Sequence, residues 1–206
     1  MDTPKTEERS LSARASFRLT ASDGLWRVAA GALRIDSAPP GEAGRFMRLA
    51  LPGDVIGVEQ WAGTNEALVY GALTPVLLQP LQPPAAELMG LLMDTVVVAH
   101  QRCREVVTLR TGPVSQRVKA LLLLFAETLA PKAQSLADCP LPQLSDMAEI
   151  LDAAPATVSR VFSSMRKLDW VQARKPQRAR FDVQTLRAKL PRPGMTISAL
   201  ALRTAG

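Results

Sequence analysis

Leu141–Leu168 reads LPQLSDMAEILDAAPATVSRVFSSMRKL. Its apolar residues fall into two sets at helical spacing. Leu144, Met147, Ala148 and Leu151 line one face of a helix expected from about Pro142 to Leu151. Val158, Val161, Phe162, Met165 and Leu168 line a second, expected from about Pro155 to Leu168. Only Asp152-Ala153-Ala154 separates them. A link this short forces the helices to cross steeply, with the small Ala148 where they meet. Pro155 suits the first turn of a helix because its missing N–H has no partner there to lose. Ala154 is a poor N-cap, and Asp152 occupies a turn position that Asp tolerates better than most residues. The spacing predicts a helix-turn-helix.

The outward residues of the second helix are Ala156, Thr157, Ser159, Arg160 and Ser163. Those at its N-terminal end can enter a major groove, where Arg160 can make a bidentate contact to guanine O6 and N7. Thr157 and Ser159 suit a phosphate or a base edge, and Ala156 offers a methyl contact. Gln143, Ser145 and Lys167 extend the expected DNA surface. Downstream, Trp170-Val171 and Phe181-Asp182-Val183 read as strands around a basic loop containing Arg174, Lys175, Arg178 and Arg180. That is a wing suited to phosphates. Between Arg160 and Arg192 there are 10 basic residues against 2 acidic ones. A basic run alone is equally well an ordinary solvated face; the two-helix spacing followed by a wing favours DNA.

The charge of the whole chain is segregated. Residues 1–111 hold 11 Lys/Arg against 12 Asp/Glu, and residues 112–206 hold 14 against 7. A neutral unit joined to a polyanion-binding one has this signature. Residues 1–15 are polar and expected to fray. From Ser16 to about Gln82 short apolar runs alternate with turn signals: Leu25–Val28, Ala32–Ile35, Phe46–Leu51, Val55–Val58, Ala67–Leu73 and Val76–Leu78. They predict a small antiparallel roll. Pro83-Pro84 ends it, and a helix is expected from about Ala85 to Thr111. Leu88, Leu92, Thr95, Ala99, Arg102, Val106 and Leu109 follow a heptad spacing along it. This stripe predicts pairing with a second copy; the alternative is that it covers the roll of its own chain. Gly112-Pro113 breaks the helix, Val114–Leu129 forms another, and a polar loop is expected to about Leu141. The expected architecture is α+β: a sensory β-roll with its long helix over 16–111, and a winged helix-turn-helix unit over 112–206.

Other classes fit poorly. Two isolated cysteines, Cys103 and Cys139, and one histidine, His100, cannot build a zinc finger or a four-cysteine iron–sulfur site. A roll of metal-dependent enzyme type needs clustered His and carboxylate ligands, and the roll region has no histidine. No signal peptide or membrane span is expected, which points to the cytoplasm. A protein-interaction module would explain the apolar helix faces but neither the charge segregation nor the wing.

Ala156-Thr157-Val158-Ser159-Arg160-Val161 resembles the recognition helix of the Crp/Fnr superfamily of bacterial transcription regulators, and Leu144-Ser145-Asp146-Met147-Ala148 resembles the helix before it. The run Leu25–Arg34 resembles the family's strand–Gly–strand element, Leu51–Gly57 its Pro-Gly-Asp turn, and the Ala85–Thr111 helix its dimer helix. The resemblance implies a homodimer on a pseudo-palindromic duplex, with RNA polymerase as a further partner and no catalysis. It also implies a shortened roll, since about 24 residues precede the Leu25 strand. Members that bind cyclic AMP carry a Gly-Glu pair and an Arg-Ser or Arg-Thr pair. Here Gly57 is followed by Val58, with Glu59 one place late, and the second pair reads Asn65-Glu66. An acidic residue facing a phosphate is electrostatically wrong, so no cyclic-nucleotide response is expected. No cofactor is implied, and the sequence names no effector.

Overall fold

The computed structural model describes residues 7–64, 66–130, 136–175 and 177–188. Two antiparallel sheets form the N-terminal roll. One runs β1 (Arg9–Leu11), β8 (Val76–Leu81), β3 (Leu25–Ala30), β6 (Val55–Ile56); the other runs β2 (Ser16–Phe17), β7 (Leu68–Ala72), β4 (Leu33–Ser37), β5 (Arg45–Ala50). Alternate residues of both sheets supply one core, among them Trp26, Val28, Leu33, Ile35, Tyr70 and Leu78. The six expected strands are all present. Residues 9–11, within the 1–15 stretch expected to fray, instead supply β1, which pairs with β8, and Ser16–Phe17 at the start of the expected roll supply β2, which pairs with β7. Leu11 and Phe17 pack on the core, and the Arg9 guanidinium lies over the Phe17 and Trp26 rings at 5.6 and 5.2 Å. These contacts were invisible in a stretch whose composition is polar. Val58, expected to end a strand, opens the short α1 (Val58–Trp61).

Two glycines make the roll possible. At Gly31, between β3 and β4, φ is +83° and a Cβ would stand 2.1 Å from the Pro75 carbonyl oxygen. At Gly57, before α1, φ is +90° and a Cβ would meet the Gly24 oxygen at 2.6 Å. Only glycine fits such positions.

The long α2 (Ala85–Arg110) stops at Gly112-Pro113, and α3 (Val114–Leu129) follows. Next comes β9 (Leu136–Pro140), where a loop was expected. It pairs with β11 (Arg178–Asp182), which pairs with β10 (Val171–Lys175). The pairing is long-range, and Leu136–Pro140 has little local strand signal of its own. Between β9 and β10 lie α4 (Leu144–Ile150) and α5 (Pro155–Lys167); α6 (Val183–Ala188) ends the described chain. A second core joins these helices to the roll: Phe46, Leu49 and Leu51 share it with Leu109, Leu122, Phe125, Met147, Phe162 and Phe181. No helix among the described residues is long and apolar enough to cross a membrane.

The C-terminal part of the heptad stripe expected to pair two copies packs on its own chain, through Arg102, Val106 and Leu109. Arg102 and Leu109 are buried, and Leu88, Leu92, Thr95, Ala99 and Val106 are half-buried. Arg102 donates from Nε and Nη2 to both Asp54 oxygens at 2.8 and 2.9 Å, and from Nη1 to both Glu105 oxygens at 2.8 Å. An arginine breaking an apolar stripe marks an internal ion pair here. The large apolar residues left exposed on α2 are Met89, Met93, Val96, Val97 and Val107; all but Val97 lie one position along from a residue of the expected stripe.

Candidate nucleic-acid interface

The two helices α4 and α5 end in the same way. The Ala153 N–H donates to the Ala148 carbonyl at 2.9 Å and the Asp152 N–H to Glu149 at 3.2 Å, while Asp152 has φ +48°. At the end of α5 the Trp170 N–H donates to Met165 at 2.9 Å and the Asp169 N–H to Arg166 at 3.1 Å, with Asp169 at φ +55°. Both are Schellman closures with a left-handed residue just past the cap. Each ends a helix and redirects the chain, the first into α5 and the second into β10. Asp stands where glycine is commonest because its short polar side chain tolerates that region. Asp152→Val is therefore expected to lower stability by about 1–2 kcal/mol, and Asp152→Gly to be neutral or slightly stabilising; thermal unfolding of the two variants checks this.

α5 begins with Pro155 at its first turn and Ala154 as a cap without a side-chain hydrogen bond. Val158, Phe162 and Met165 are buried, and Val161 is half-buried against the same core. Leu168, expected inward, is 57 % exposed, because it caps the helix where the chain has already turned. The opposite side presents Ala156, Ser159 and Arg160 to solvent, with Thr157 half-buried. Further along, the Ser163 hydroxyl donates to the Ser159 carbonyl at 3.0 Å. It is thereby committed to its own helix. Ser145 is exposed on the first turn of α4, Gln143 is its half-buried N-cap, and Lys167 is exposed at the end of α5.

The hairpin β10–β11 brings the basic run beside α5. Arg178 and Arg180 alternate with the buried Ala179 and Phe181, so both point outward. Arg178 pairs with Asp138 of β9 at 3.2 Å. The side chains of Arg174 and Lys175 lie outside the described residues, although β10 carries their backbone. Trp170 packs its ring under the Lys119 ammonium at 4.4 Å, which ties the start of the hairpin to α3. Sequence reasoning missed α6. Its N-terminus is capped by Asp182, whose Oδ1 accepts from the Thr185 N–H at 2.9 Å, and Arg187 pairs with Glu127 of α3 at 2.6 Å. An Asp three residues before a Thr was the available signal.

Around α1 the polar side chains of the roll pair with one another. Arg48 donates to Glu59 of α1 at 2.8 Å, and the Tyr70 hydroxyl donates to the buried Gln60 at 3.0 Å. Burial pushes the Tyr70 phenol well above its ordinary range. Glu66 is exposed, and Asn65 lies outside the described residues. The two cysteines differ: Cys103 is exposed on α2, whereas burial pushes the Cys139 thiol up to about 12.

The fold as a whole is similar to that of solved CRP/FNR-family transcriptional regulators, the family that the run Ala156–Val161 resembles. FixK2 from Bradyrhizobium japonicum superposes with a TM-score of 0.71 at 18 % identity, over 91 % of this chain and 98 % of that one. TTHB099, a CRP-family transcriptional regulator from Thermus thermophilus, gives 0.70 at 20 % identity, over 87 % and 95 %. TTHA1359, a CRP/FNR-family regulator from the same organism, gives 0.65 at 21 %, over 88 % and 97 %. No family model matches the chain, and no curated protein matches it in sequence.

Proposed function

We propose that this chain is a homodimeric, sequence-specific DNA-binding transcription regulator of the Crp/Fnr type. One observation carries the reading: α5 offers solvent an N-terminal face of Ala156, Thr157, Ser159 and Arg160 beside the outward arginines of β11. A short helix with such a face fits a major groove, and the hairpin alongside fits the flanking phosphates. α4 and α5 with β10–β11 act as the winged helix-turn-helix, within a DNA-binding unit spanning 112–206. Gln143, Ser145, Lys167, Arg174 and Lys175 extend its contacts. Residues 16–111 form the sensory unit, and RNA polymerase is a further partner.

The dimer seam we propose is the exposed side of α2. Met89, Met93, Val96, His100, Cys103 and Val107 succeed one another at steps of four and three, which places Met93, His100 and Val107 at a positions and Met89, Val96 and Cys103 at d positions. A helix of 26 residues is long enough for such a seam, and exposed Met and Val along it need cover. His100 supplies the polar a-position residue that fixes register. In a parallel pair Cys103 faces its own copy, within reach of disulfide geometry. Copper-phenanthroline oxidation is expected to give a covalent dimer on non-reducing gels, and Cys103→Ser to abolish it, since Cys139 is buried. A solution dimer that never cross-links through Cys103 would place the seam elsewhere.

The response to cyclic AMP is proposed to be absent. Glu59 is engaged by Arg48, and Glu66 puts a negative charge where the family's phosphate partner stands. Selection of bound duplexes from random DNA, at several salt concentrations and with or without cyclic AMP, tests the function. Enrichment of a two-fold motif with steep salt dependence, unchanged by the nucleotide, is the expected result. Failure to retain any duplex in dilute buffer would refute it.

A further inference from the structure

The C-terminal end of α4 is held by three arginines from three different elements. The last carbonyls of a helix lack partners within it; in α4 those of Ala148 and Glu149 are met by the turn that closes the helix, and those of Ile150 and Leu151, with a second bond at Glu149, are met by arginines from outside. Arg110, in the last turn of α2, donates to the Glu149 carbonyl at 3.1 Å and to Ile150 at 3.3 Å. Arg117, in the first turn of α3, donates to the carbonyls of Leu151 and, at 3.2 Å, Asp152. Arg34, from β4 of the roll, pairs with the Glu149 carboxylate, while Asp36 holds the same guanidinium at 2.7 Å. Phe46 of β5 lies between two of them, 5.9 Å from the Arg34 guanidinium and 5.1 Å from that of Arg110. Burial raises the carboxyl of Asp146 on the same helix, with Arg34 opposing that rise.

These contacts differ in kind from the apolar ones around them. Phe46, Leu49 and Leu51 also touch the helical core, but apolar contact is non-directional and tolerates rotation. A guanidinium fork fixes direction. The Arg34–Glu149 pair is also lopsided: the arginine side chain is 12 % exposed and the glutamate 61 %. Water competes for the carboxylate, so this contact can open while the core stays packed.

We propose that Arg34, Arg110 and Arg117 form an orientation latch, in which Arg34 lets the roll set the angle of the helix-turn-helix through Glu149. Arg34 and Glu149 are positioning residues for the recognition helix. In a two-fold dimer that angle fixes the separation of the two α5 helices, and so the spacing of the half-sites. This consequence rests on the DNA-binding reading; the latch itself does not.

The test uses the full-length chain and has two arms. In a Cys103→Ser background, nitroxide labels at Arg27→Cys of β3 and Ser164→Cys of α5 report the distance between roll and α5, with labelled subunits diluted in unlabelled protein. Glu149→Gln is expected to widen the distance distribution, and the exchange of Arg34→Glu with Glu149→Arg to narrow it again. In the second arm, duplexes carry two half-sites at varied spacing. The parent chain is expected to prefer one spacing about tenfold over its neighbours. Glu149→Gln should flatten that preference while leaving affinity for a single half-site unchanged, and the exchange should restore it. A lost contact of purely structural value would lower stability without moving spacing. A distribution as narrow in Glu149→Gln as in the parent overturns the latch. A widened distribution in protein that holds no duplex keeps the latch and removes the DNA-binding reading.

Discussion

Asp54→Ala is expected to lower the stability of the fold by about 3 kcal/mol, equivalent to a fall of about 6–12 °C in Tm for a chain of this size. Asp54 and Arg102 are both buried, and the two guanidinium nitrogens Nε and Nη2 meet the two carboxylate oxygens. Burial alone would depress the Arg102 pKa, but its hydrogen bonds to Asp54 and Glu105 more than reverse this, and the net shift is upward. Removing Asp54 leaves a buried cation with half its partners. The usual cost of such a break is about 3–5 kcal/mol. Glu105, which keeps its own bidentate contact, places the expected value at the lower end. A local contact goes as well, because Asp54 Oδ2 accepts from the Leu51 N–H at 3.0 Å and so closes the Pro52-Gly53 turn. The double replacement Asp54→Leu with Arg102→Met removes both charges and should recover much of the loss. Urea unfolding of the two proteins checks both statements. A double variant no more stable than Asp54→Ala would mean that the turn contact, and not the charge, carries the cost.

The same pair shows where the sequence could be read and where it could not. Pro52-Gly53-Asp54 is visible as a turn because Pro and Gly restrict or free the backbone locally. That Asp54 also receives an arginine 48 residues away is a tertiary fact with no local signature. Arg102 therefore looked like a flaw in an apolar stripe. The stripe was real, but helical periodicity gives a face, not the surface that covers it. A 26-residue amphipathic helix with one face on its own roll and another exposed carries two overlapping apolar sets, and the sequence alone weights neither. Leu136–Pro140 shows a related limit, since its strand exists through pairing with β11, and a five-residue run that holds an Asp and a Pro has weak strand propensity of its own. The two-helix unit was legible for the opposite reason. Its helix faces, its short link and its proline are all within the 28 residues of Leu141–Leu168, and each is fixed by backbone chemistry that acts over one or two turns. The arginines gripping the end of α4 were not legible, because Arg34, Arg110 and Arg117 come from three elements that only the fold brings together.

Arg160→Ala is expected to weaken binding to the selected duplex by about 1–3 kcal/mol, roughly 5- to 150-fold. Arg160 lies on the exposed side of α5, one turn beyond Ala156. From that position a guanidinium can donate two parallel hydrogen bonds to guanine O6 and N7. Alanine removes both, so the loss should fall on one base pair in each half-site: the variant should accept other bases there almost as well as guanine. Arg178→Ala is the contrast. Arg178 stands on β11, its side chain about half exposed and paired with Asp138, where a phosphate can replace the carboxylate. Its removal should weaken selected and random duplexes alike and reduce the slope of log K against log salt by about one. Asp138→Asn separates the two effects further, because it frees Arg178 and should strengthen binding to any duplex. Salt-controlled mobility shifts on matched and single-substituted duplexes measure all three. If Arg160→Ala lost affinity equally on random DNA, Arg160 would be holding phosphate, and the reading of bases would have to fall to Ala156, Thr157 and Ser159, none of which can donate a bidentate pair.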